Sequence, residues 1–385
     1  MTSAETLIER IAAGIAETEP PSAPGRLLVM SNRAPIRLVQ EEGRERIVPT
    51  VGGVGSTFLR LLERYGGMWI AWSGTKSGHG RVMMPPADPQ FAMVFARLRE
   101  NDISNYYYGM CNRGLWPLMH FMILNCRFES AQWESYCRVN QIFANAAEAE
   151  ARSYDIAWIQ DFHLALVPRL LRARHPRLPI GLFWHVPWPP EQVFRVFPWR
   201  EQLLAGMLGA DQIGFHTPSY VKHFLDCCER ICGYRVDRAN GLVFHDSRST
   251  RIKAFPLGIA ADYFHKLSMS GQVCARARRI RKAVRTPTVV LGVDRLDYTK
   301  GIAERLLGFE RFLEENPRFR KRVTMILIAV PSRTRVAEYI ALKKHIDELV
   351  GRVVGRFSSD GWVPIRYLYT QFPVEELVAY YQAAD

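Results

Sequence analysis

Several familiar signatures are missing from this sequence of 385 residues. No run of about 18 apolar residues occurs, so no helix is expected to cross a membrane. Met1 to Glu19 carries Glu5, Glu9, Glu17 and Glu19, where a secretory leader would begin basic and turn apolar. It reads as a short amphipathic extension (residues 1–25), ended by Pro20-Pro21 and Pro24-Gly25. The seven cysteines include no CxxC pair. Cys228, Cys232 and His223 lie near one another, but a structural zinc site takes four ligands, so no metal is expected. Reduced thiols in a cytoplasmic protein are the plain reading. No G-x-S-x-G elbow surrounds a serine, which removes the hydrolase triad. Neither a P-loop lysine nor G-x-G-x-x-G is present. Internal repeats and low-complexity tracts are absent too.

What is abundant is positive charge: the formal net charge is +13. Such an excess can steer nucleic acid, attract phosphorylated small molecules, or keep a surface solvated. The densest groups are Arg276, Arg278, Arg279, Arg281, Lys282 and Arg285, then Arg318, Arg320, Lys321 and Arg322. Both sit beside element ends, and no aromatic residues interleave the first. A solvated surface is expected there, and no nucleic-acid partner.

From residue 26 the hydrophobic pattern alternates between short apolar runs and helical spacing. Strands are expected at 26–31, 155–160, 180–184 and 212–216, each closed by a polar loop. Helices are expected over 164–174 and about 218–231. Phe255-Pro256-Leu257-Gly258 reads as a break, after which the pattern restarts with strands at 288–293, 323–330 and 365–369. Helices at 301–315 and 375–384 accompany them. The succession implies two Rossmann-like lobes with parallel sheets, 26–258 and a shorter 259–385. Ligands of such sheets sit outside the carboxyl ends of the strands. That rule selects Ser31–Arg33, Asp161–His163, His185–Trp188, Asp294–Lys300 and Pro331–Arg333.

Each of these loops has a chemical and a plain reading. Arg33 offers a planar fork for phosphate, or an ordinary surface ion pair. Gly52 and Gly53, ahead of a helix, allow close backbone approach to an anion, or form a turn. Arg295 and Lys300 flank a strand-to-helix loop from which both could neutralise one diphosphate and stabilise its departure; the plain reading is a solvated basic loop. Asp161, His163 and His185 could hydrogen-bond sugar hydroxyls or serve the core. Tyr106, Tyr107, Tyr108, Trp116, Trp184 and Trp188 offer faces for sugar rings, although aromatic core residues are commoner.

Taken together these loops resemble the family 20 glycosyltransferases. The matching stretches are SNR (31–33), GG (52–53), WIAWSG (69–74), YYYGMCNRGLWP (106–117), WIQDFHL (158–164), FWHVPWP (183–189), GFHT (214–217), FPLGI (255–259), DRLDYTKG (294–301), PSR (331–333) and GW-P (361–364). They occur in family order and cover about residues 26 to 385. The resemblance implies a GT-B fold, two lobes with the active site between them. It also implies glucosyl transfer from a nucleotide diphosphate, usually UDP-glucose, to glucose 6-phosphate. The anomeric configuration is retained by front-face attack, with no metal, cofactor or protein nucleophile. No glycosidase-type carboxylate pair is then needed.

Carried over position by position, Arg33, Tyr107, Asp161 and Arg333 match acceptor-binding residues, with Arg33 and Arg333 on the 6-phosphate. Trp116 shapes the acceptor side. Gly52 and Gly53 match the backbone loop near the donor, Arg295 and Lys300 the diphosphate clamp, and Phe372 the neighbour of the base. His185 matches the histidine that contacts the transferred glucose. Two departures stand out. The common HDYH motif reads Gln160-Asp161-Phe162-His163 here. The family's DGMNLVAKE segment would follow Ala383-Ala384-Asp385, so the 385 residues alone are expected not to turn over. A relative that glucosylates glycerol 3-phosphate and a non-catalytic sugar-phosphate sensor are the alternatives; intact SNR and PSR settings favour glucose 6-phosphate. The partners expected are the two small-molecule substrates, a homo-oligomer is left open, and the family suggests a role in stress protection.

Overall fold

A computed structural model describes residues 26–41, 44–49, 53–74, 80–85, 88–151, 154–334 and 336–385. The expected N-terminal extension and Gly52 lie outside these residues. The chain divides into two compact units between Leu257 and Gly258.

In the first unit, strands form where β-branched, aromatic and other apolar residues run between polar breaks. They are β1 (Leu27–Arg33), β2 (Ile36–Glu41), β3 (Arg44–Pro49), β4 (Gly67–Trp72), β5 (Arg81–Met84), β6 (Phe91–Phe95), β7 (Ile156–Gln160), β8 (Ile180–Phe183), β9 (Gln212–Phe215), β10 (Arg235–Asp237), β11 (Leu242–His245) and β12 (Arg248–Ala254). Apart from the β2–β3 hairpin they make one sheet in the order β10-β11-β12-β9-β8-β7-β1-β4-β6-β5. The run from β12 to β6 is parallel, and β5, β10 and β11 close its edges antiparallel. Residues of β8 and β9 are buried throughout, as expected for parallel strands covered on both faces.

This strand order has a topological switch. From β1 the chain builds outward through β4 and β6, then returns to the other side of β1 with β7, β8 and β9. The carboxyl ends of β1 and β7 therefore flank the crevice where such sheets bind ligands.

β1 runs farther than the sequence pattern indicated. Ser31, Asn32 and Arg33 belong to the strand rather than to a loop after it. Trp69 donates its indole N–H to Ser31 Oγ at 2.8 Å, and Ser31 Oγ donates to the Arg33 carbonyl at 2.9 Å. Those bonds allow polar residues to stay in a buried ladder, while the pairing with β4 slips between Ser31 and Arg33. The helix expected over 164–174 is instead a 3₁₀ turn, Phe162–Leu164, followed by a helix at Val167–Arg174. Pro168 stands in the first turn of that helix, where its missing N–H is not needed.

The second unit contains β13 (Thr288–Arg295), β14 (Val323–Val330) and β15 (Ile365–Leu368), all parallel and in that order. The amphipathic helix Ile302–Glu315 and the long helix Ala337–Phe357 share one core with the sheet, around Leu306, Leu313, Leu327 and Val353. Helices Gly271–Val284 and Val374–Ala383 share the other, around Ile280, Ile326, Ile328 and Ala379. The basic run 276–285 stays mostly on the outer side of its helix. Arg276 pairs with Glu376 at 2.6 Å and Arg281 with Asp385 at 2.6 Å.

Candidate functional site

The first unit gathers a polar cluster at the switch point. Arg33 ends β1 exposed, with its guanidinium carbon 4.5 Å from the centre of the Trp72 ring and 5.6 Å from that of Tyr107. Trp72 ends the neighbouring strand β4, and its ring meets Tyr107 edge-on at 5.6 Å. Cation–π contact holds the arginine by its face and leaves its N–H edge for an anion. Gly74 makes this possible: its φ is +89°, and a Cβ there would stand 2.4 Å from Arg33 Nη1.

Tyr107 is delivered by a π-helix, Ile103–Leu115. π-Helical backbone is rare and recurs at functional sites, because the wider turn re-aims side chains. Within it Tyr106 is fully buried and donates its hydroxyl to Asn32 Oδ1 at 3.0 Å. Its neighbour Tyr107 faces Arg33 and stacks near-parallel with His163 at 6.2 Å. Trp116 lies deeper, buried beside His120 and Phe162 at 4.2 and 6.0 Å between ring centres. Trp184 and Trp188 belong to the core.

Asp161 follows β7 in a strained conformation, with φ 70° and ψ 172°. A non-glycine residue there costs of order 1–3 kcal/mol and persists only when its surroundings over-determine it. Here the Asp161 N–H donates to the Phe183 carbonyl at 2.7 Å, and Oδ1 accepts from the His185 N–H at 3.1 Å. The second oxygen lies 3.8 Å from His163 Nδ1. The strain turns a carboxylate outward at the strand end, where it can accept a ligand hydroxyl.

His185, after β8, has Nε2 at 2.9 Å from Gln160 Oε1. Its ring packs on Phe183 at 4.6 Å and faces His216, after β9, at 5.6 Å. Burial, assisted by His216, pushes His185 down to about 3, so the imidazole is neutral at physiological pH. His216 is also lowered by burial, although Asp161 pulls the other way. Among the described residues no group of three or more His, Cys, Asp or Glu side chains could hold a metal ion.

The second unit has its own cluster at the carboxyl ends of its strands. Arg295 ends β13 exposed, and Lys300 closes the 3₁₀ turn Tyr298–Lys300, also exposed. Gly301 follows at φ 61°, a left-handed position that turns the chain into its helix. Asp297 is fully buried. It accepts from the Thr299 N–H at 3.0 Å, from Tyr339 Oη at 2.8 Å and from Arg333 Nη1 at 2.7 Å. Arg333 Nη1 also meets the Tyr339 hydroxyl. Burial raises the Asp297 pKa, but Arg333 and these hydrogen bonds outweigh it and hold the carboxyl below its usual value. Phe372, beyond β15, is half-buried against Tyr380 at 5.2 Å. Gly53 opens the helix Gly53–Tyr65.

Thus the structure brings Arg33, Tyr107, Asp161 and His185 to one edge of the large sheet. It brings Arg295, Lys300, Arg333 and Phe372 to the corresponding edge of the small one. Sequence reasoning assigned no role to Trp72, Gly74, His216, Asp297 or Tyr339. The first four fall inside the stretches WIAWSG, GFHT and DRLDYTKG, which were visible without any sign of what each side chain touches.

The mostly parallel α/β sheet thus carries an exposed arginine, a strained aspartate and a neutral histidine at its switch point, the ligand-binding edge of such folds. The chain matches Glycosyltransferase family 20 over residues 25–385 and belongs to that family, whose solved relatives are GT-B enzymes. It is 36% identical to a trehalose-6-phosphate synthase of Mycolicibacterium gilvum over 97% of this chain and 77% of the relative. It is 34% identical to an alpha,alpha-trehalose-phosphate synthase [UDP-forming] A of Dictyostelium discoideum over 94% of this chain and 49% of that protein. A Burkholderia xenovorans synthase of the same type, solved with glucose-6-phosphate, superposes with a TM-score of 0.84 at 29% identity, covering 94% of this chain and 78% of that one. A trehalose-6-phosphate enzyme of E. coli bound with UDP-2-fluoro glucose gives 0.83 at 28% identity, covering 94% and 77%.

Proposed function

We infer that this protein transfers glucose from UDP-glucose to glucose 6-phosphate, giving trehalose 6-phosphate and UDP. The observation that carries the reading is the guanidinium of Arg33 laid across Trp72 and Tyr107 beside Asp161, at the switch point of a family 20 sheet. In this reading Arg33 takes the 6-phosphate of the acceptor by its open N–H edge, and Asp161 accepts a hydroxyl of the same sugar. Tyr107 and Trp72 wall the ring.

Arg295 and Lys300 hold the donor diphosphate, with Phe372 beside the base. The bond from the anomeric carbon to the diphosphate oxygen breaks, and one to the acceptor oxygen forms. The acceptor proton passes to the departing phosphate oxygen, whose negative charge the two cations stabilise. His185, neutral at working pH, serves as a hydrogen-bonding partner of the glucosyl group rather than as an acid. No helix among the described residues is long and apolar enough to cross a membrane. The seven cysteines are free thiols, which supports a cytoplasmic setting.

The test is direct. Full-length protein is mixed with glucose 6-phosphate and UDP-, ADP- or GDP-glucose, nucleotide release is followed, and the product is weighed by mass spectrometry. UDP and a disaccharide phosphate are expected, both lost in Arg295→Ala. Product with glycerol 3-phosphate but none with glucose 6-phosphate would reassign the acceptor.

A further inference from the structure

Gln160 is an odd residue to find where it is. It is the last residue of β7, only 2% exposed, and its side-chain Nε2 is buried with no hydrogen-bond partner among the described residues. A buried amide with one half unsatisfied destabilises a fold, and an apolar side chain of the same shape would avoid that cost. The other half of the amide is engaged. Gln160 Oε1 lies 2.9 Å from His185 Nε2 and is the only hydrogen-bond partner of that ring among the described residues. An amide oxygen can only accept, so the imidazole nitrogen facing it must carry the hydrogen. A neutral imidazole has one N–H, which leaves Nδ1 as a bare acceptor. His185 Nδ1 has no hydrogen-bond partner among the described residues, which leaves that acceptor for a ligand to satisfy.

We propose that Gln160 is a positioning residue that holds His185 in the Nε2–H form, so that Nδ1 stands as an obligate hydrogen-bond acceptor for a sugar hydroxyl. This rests on the glucosyl-transfer reading for the identity of the hydroxyl, but not for the state of the ring. The remaining surroundings of the imidazole fit the assignment. Phe183 from β8 offers it no hydrogen-bonding atom, and His216 beyond β9 contacts it ring to ring at 5.6 Å. Asp161 Oδ1 accepts from the backbone N–H of His185 at 3.1 Å rather than from its ring. The lowered proton affinity of His185 agrees with a ring that never carries a second hydrogen in use.

The consequence concerns specificity. An acceptor-only nitrogen binds a hydroxyl that donates. A sugar bearing fluorine or an ether in place of that hydroxyl cannot donate, and a site built around such a bond rejects it strongly. Replacing the amide by leucine frees the ring to exchange tautomers, so only part of the population presents the acceptor. Replacing it by glutamate puts a negative charge against Nε2 and favours the doubly protonated imidazolium. Nδ1 then becomes a donor, and its preference for a donating hydroxyl is lost until the second hydrogen leaves.

The experiment is long-range proton–nitrogen correlation NMR on full-length protein labelled with ¹⁵N-histidine. The His185 signals are assigned by their loss in His185→Asn. Wild type is expected to show Nε2 protonated and Nδ1 bare, unchanged between pH 8 and pH 5. Gln160→Leu should show averaged tautomers and a kcat/KM lower by about tenfold, the size of one hydrogen bond. Gln160→Glu should titrate at His185 near neutrality, with activity rising as that hydrogen leaves. A wild-type ring protonated on Nδ1, or a tautomer unaltered in Gln160→Leu, overturns the proposal. If Gln160→Leu does not fold, the wild-type spectrum and the Gln160→Glu titration decide it. Since the spectra need no turnover, absence of glucosyl transfer would sink the functional reading while leaving the tautomer assignment standing.

Discussion

Two arginines at strand ends, Arg33 in the first unit and Arg333 in the second, look alike in sequence, each closing a short serine-containing tripeptide. Their settings are opposite. Arg33 is exposed, lies on the faces of Trp72 and Tyr107, and has no carboxylate partner among the described residues. Arg333 has a largely covered side chain, sits at a positive φ of 45°, and donates to an Asp297 with no exposed side-chain surface. A cation on aromatic rings is oriented without being neutralised, which suits reversible capture of a phosphate. A cation against a buried carboxylate is part of the architecture. Asp297 ties the β13 loop, the 3₁₀ turn after it and the β14 loop through Tyr339 and Arg333. The first arginine reads as a ligand residue held by its faces, the second as a residue whose position is fixed before any ligand arrives.

The sharpest way to break this contrast is to remove each partner. Asp297→Ala removes the buried carboxylate to which Arg333, Tyr339 and Thr299 donate, and should lower stability by about 3–5 kcal/mol. The measurement is the urea midpoint, followed with a probe in the second unit. Arg33→Ala should change stability by less than about 1 kcal/mol, since an exposed residue is removed. It should weaken glucose 6-phosphate binding by about 100-fold in calorimetric titration, the loss of a bidentate charge-assisted contact. Arg33→Lys should recover only part of that, because an ammonium cannot present a planar fork. If Asp297→Ala proved harmless, or Arg33→Ala unfolded the protein, the two arginines would have been assigned the wrong way round.

Gly74→Ala is a subtler probe of the same site. The added Cβ would stand 2.4 Å from Arg33 Nη1 on a backbone at φ +89°. The guanidinium must leave its seat on Trp72, or the loop must shift. Acceptor affinity should fall by about tenfold while the Arg33 charge remains. An unchanged affinity would show that the aromatic seat does not orient the arginine.

The sequence made the parallel strands legible because they are buried on both faces and read as apolar runs, β14 and β8 among them. The ligand edge followed from the rule about carboxyl ends, and Arg33, Asp161 and His185 lie there. What stayed hidden was long-range. Nothing local shows that Trp69 bonds Ser31 and keeps β1 in its ladder to Arg33, or that residues 103–115 wind as a π-helix. The pairing of Asp297 with Arg333 joins positions 36 apart. Gly74 gives no sign of its purpose until the guanidinium is seen where a Cβ would be. Periodicity reports which face is buried; it does not report which partner arrives from another segment.

Acid also separates the two units. His185, His216 and His245 all lie in the first unit, and burial lowers each below the ordinary value of 6.5. For such groups the unfolded chain binds the hydrogen more readily. Their stabilisation is therefore complete above about pH 6.5 and is lost progressively as pH falls, for His185 down to about 3. Asp297 in the second unit is held below the ordinary 3.8, so its contribution is present above that value and fades only below it. Between pH 6.5 and pH 4 the first unit should thus weaken while the Asp297 latch still holds. Thermal unfolding at stepped pH, read by hydrogen exchange in each unit, should show protection falling first along β7 to β9 and later along β13 and β14. His185→Asn should flatten the early slope and leave the late one unchanged. Simultaneous loss in both units would mean that the acid response is set by carboxylates common to the whole chain rather than by histidines buried at one strand edge.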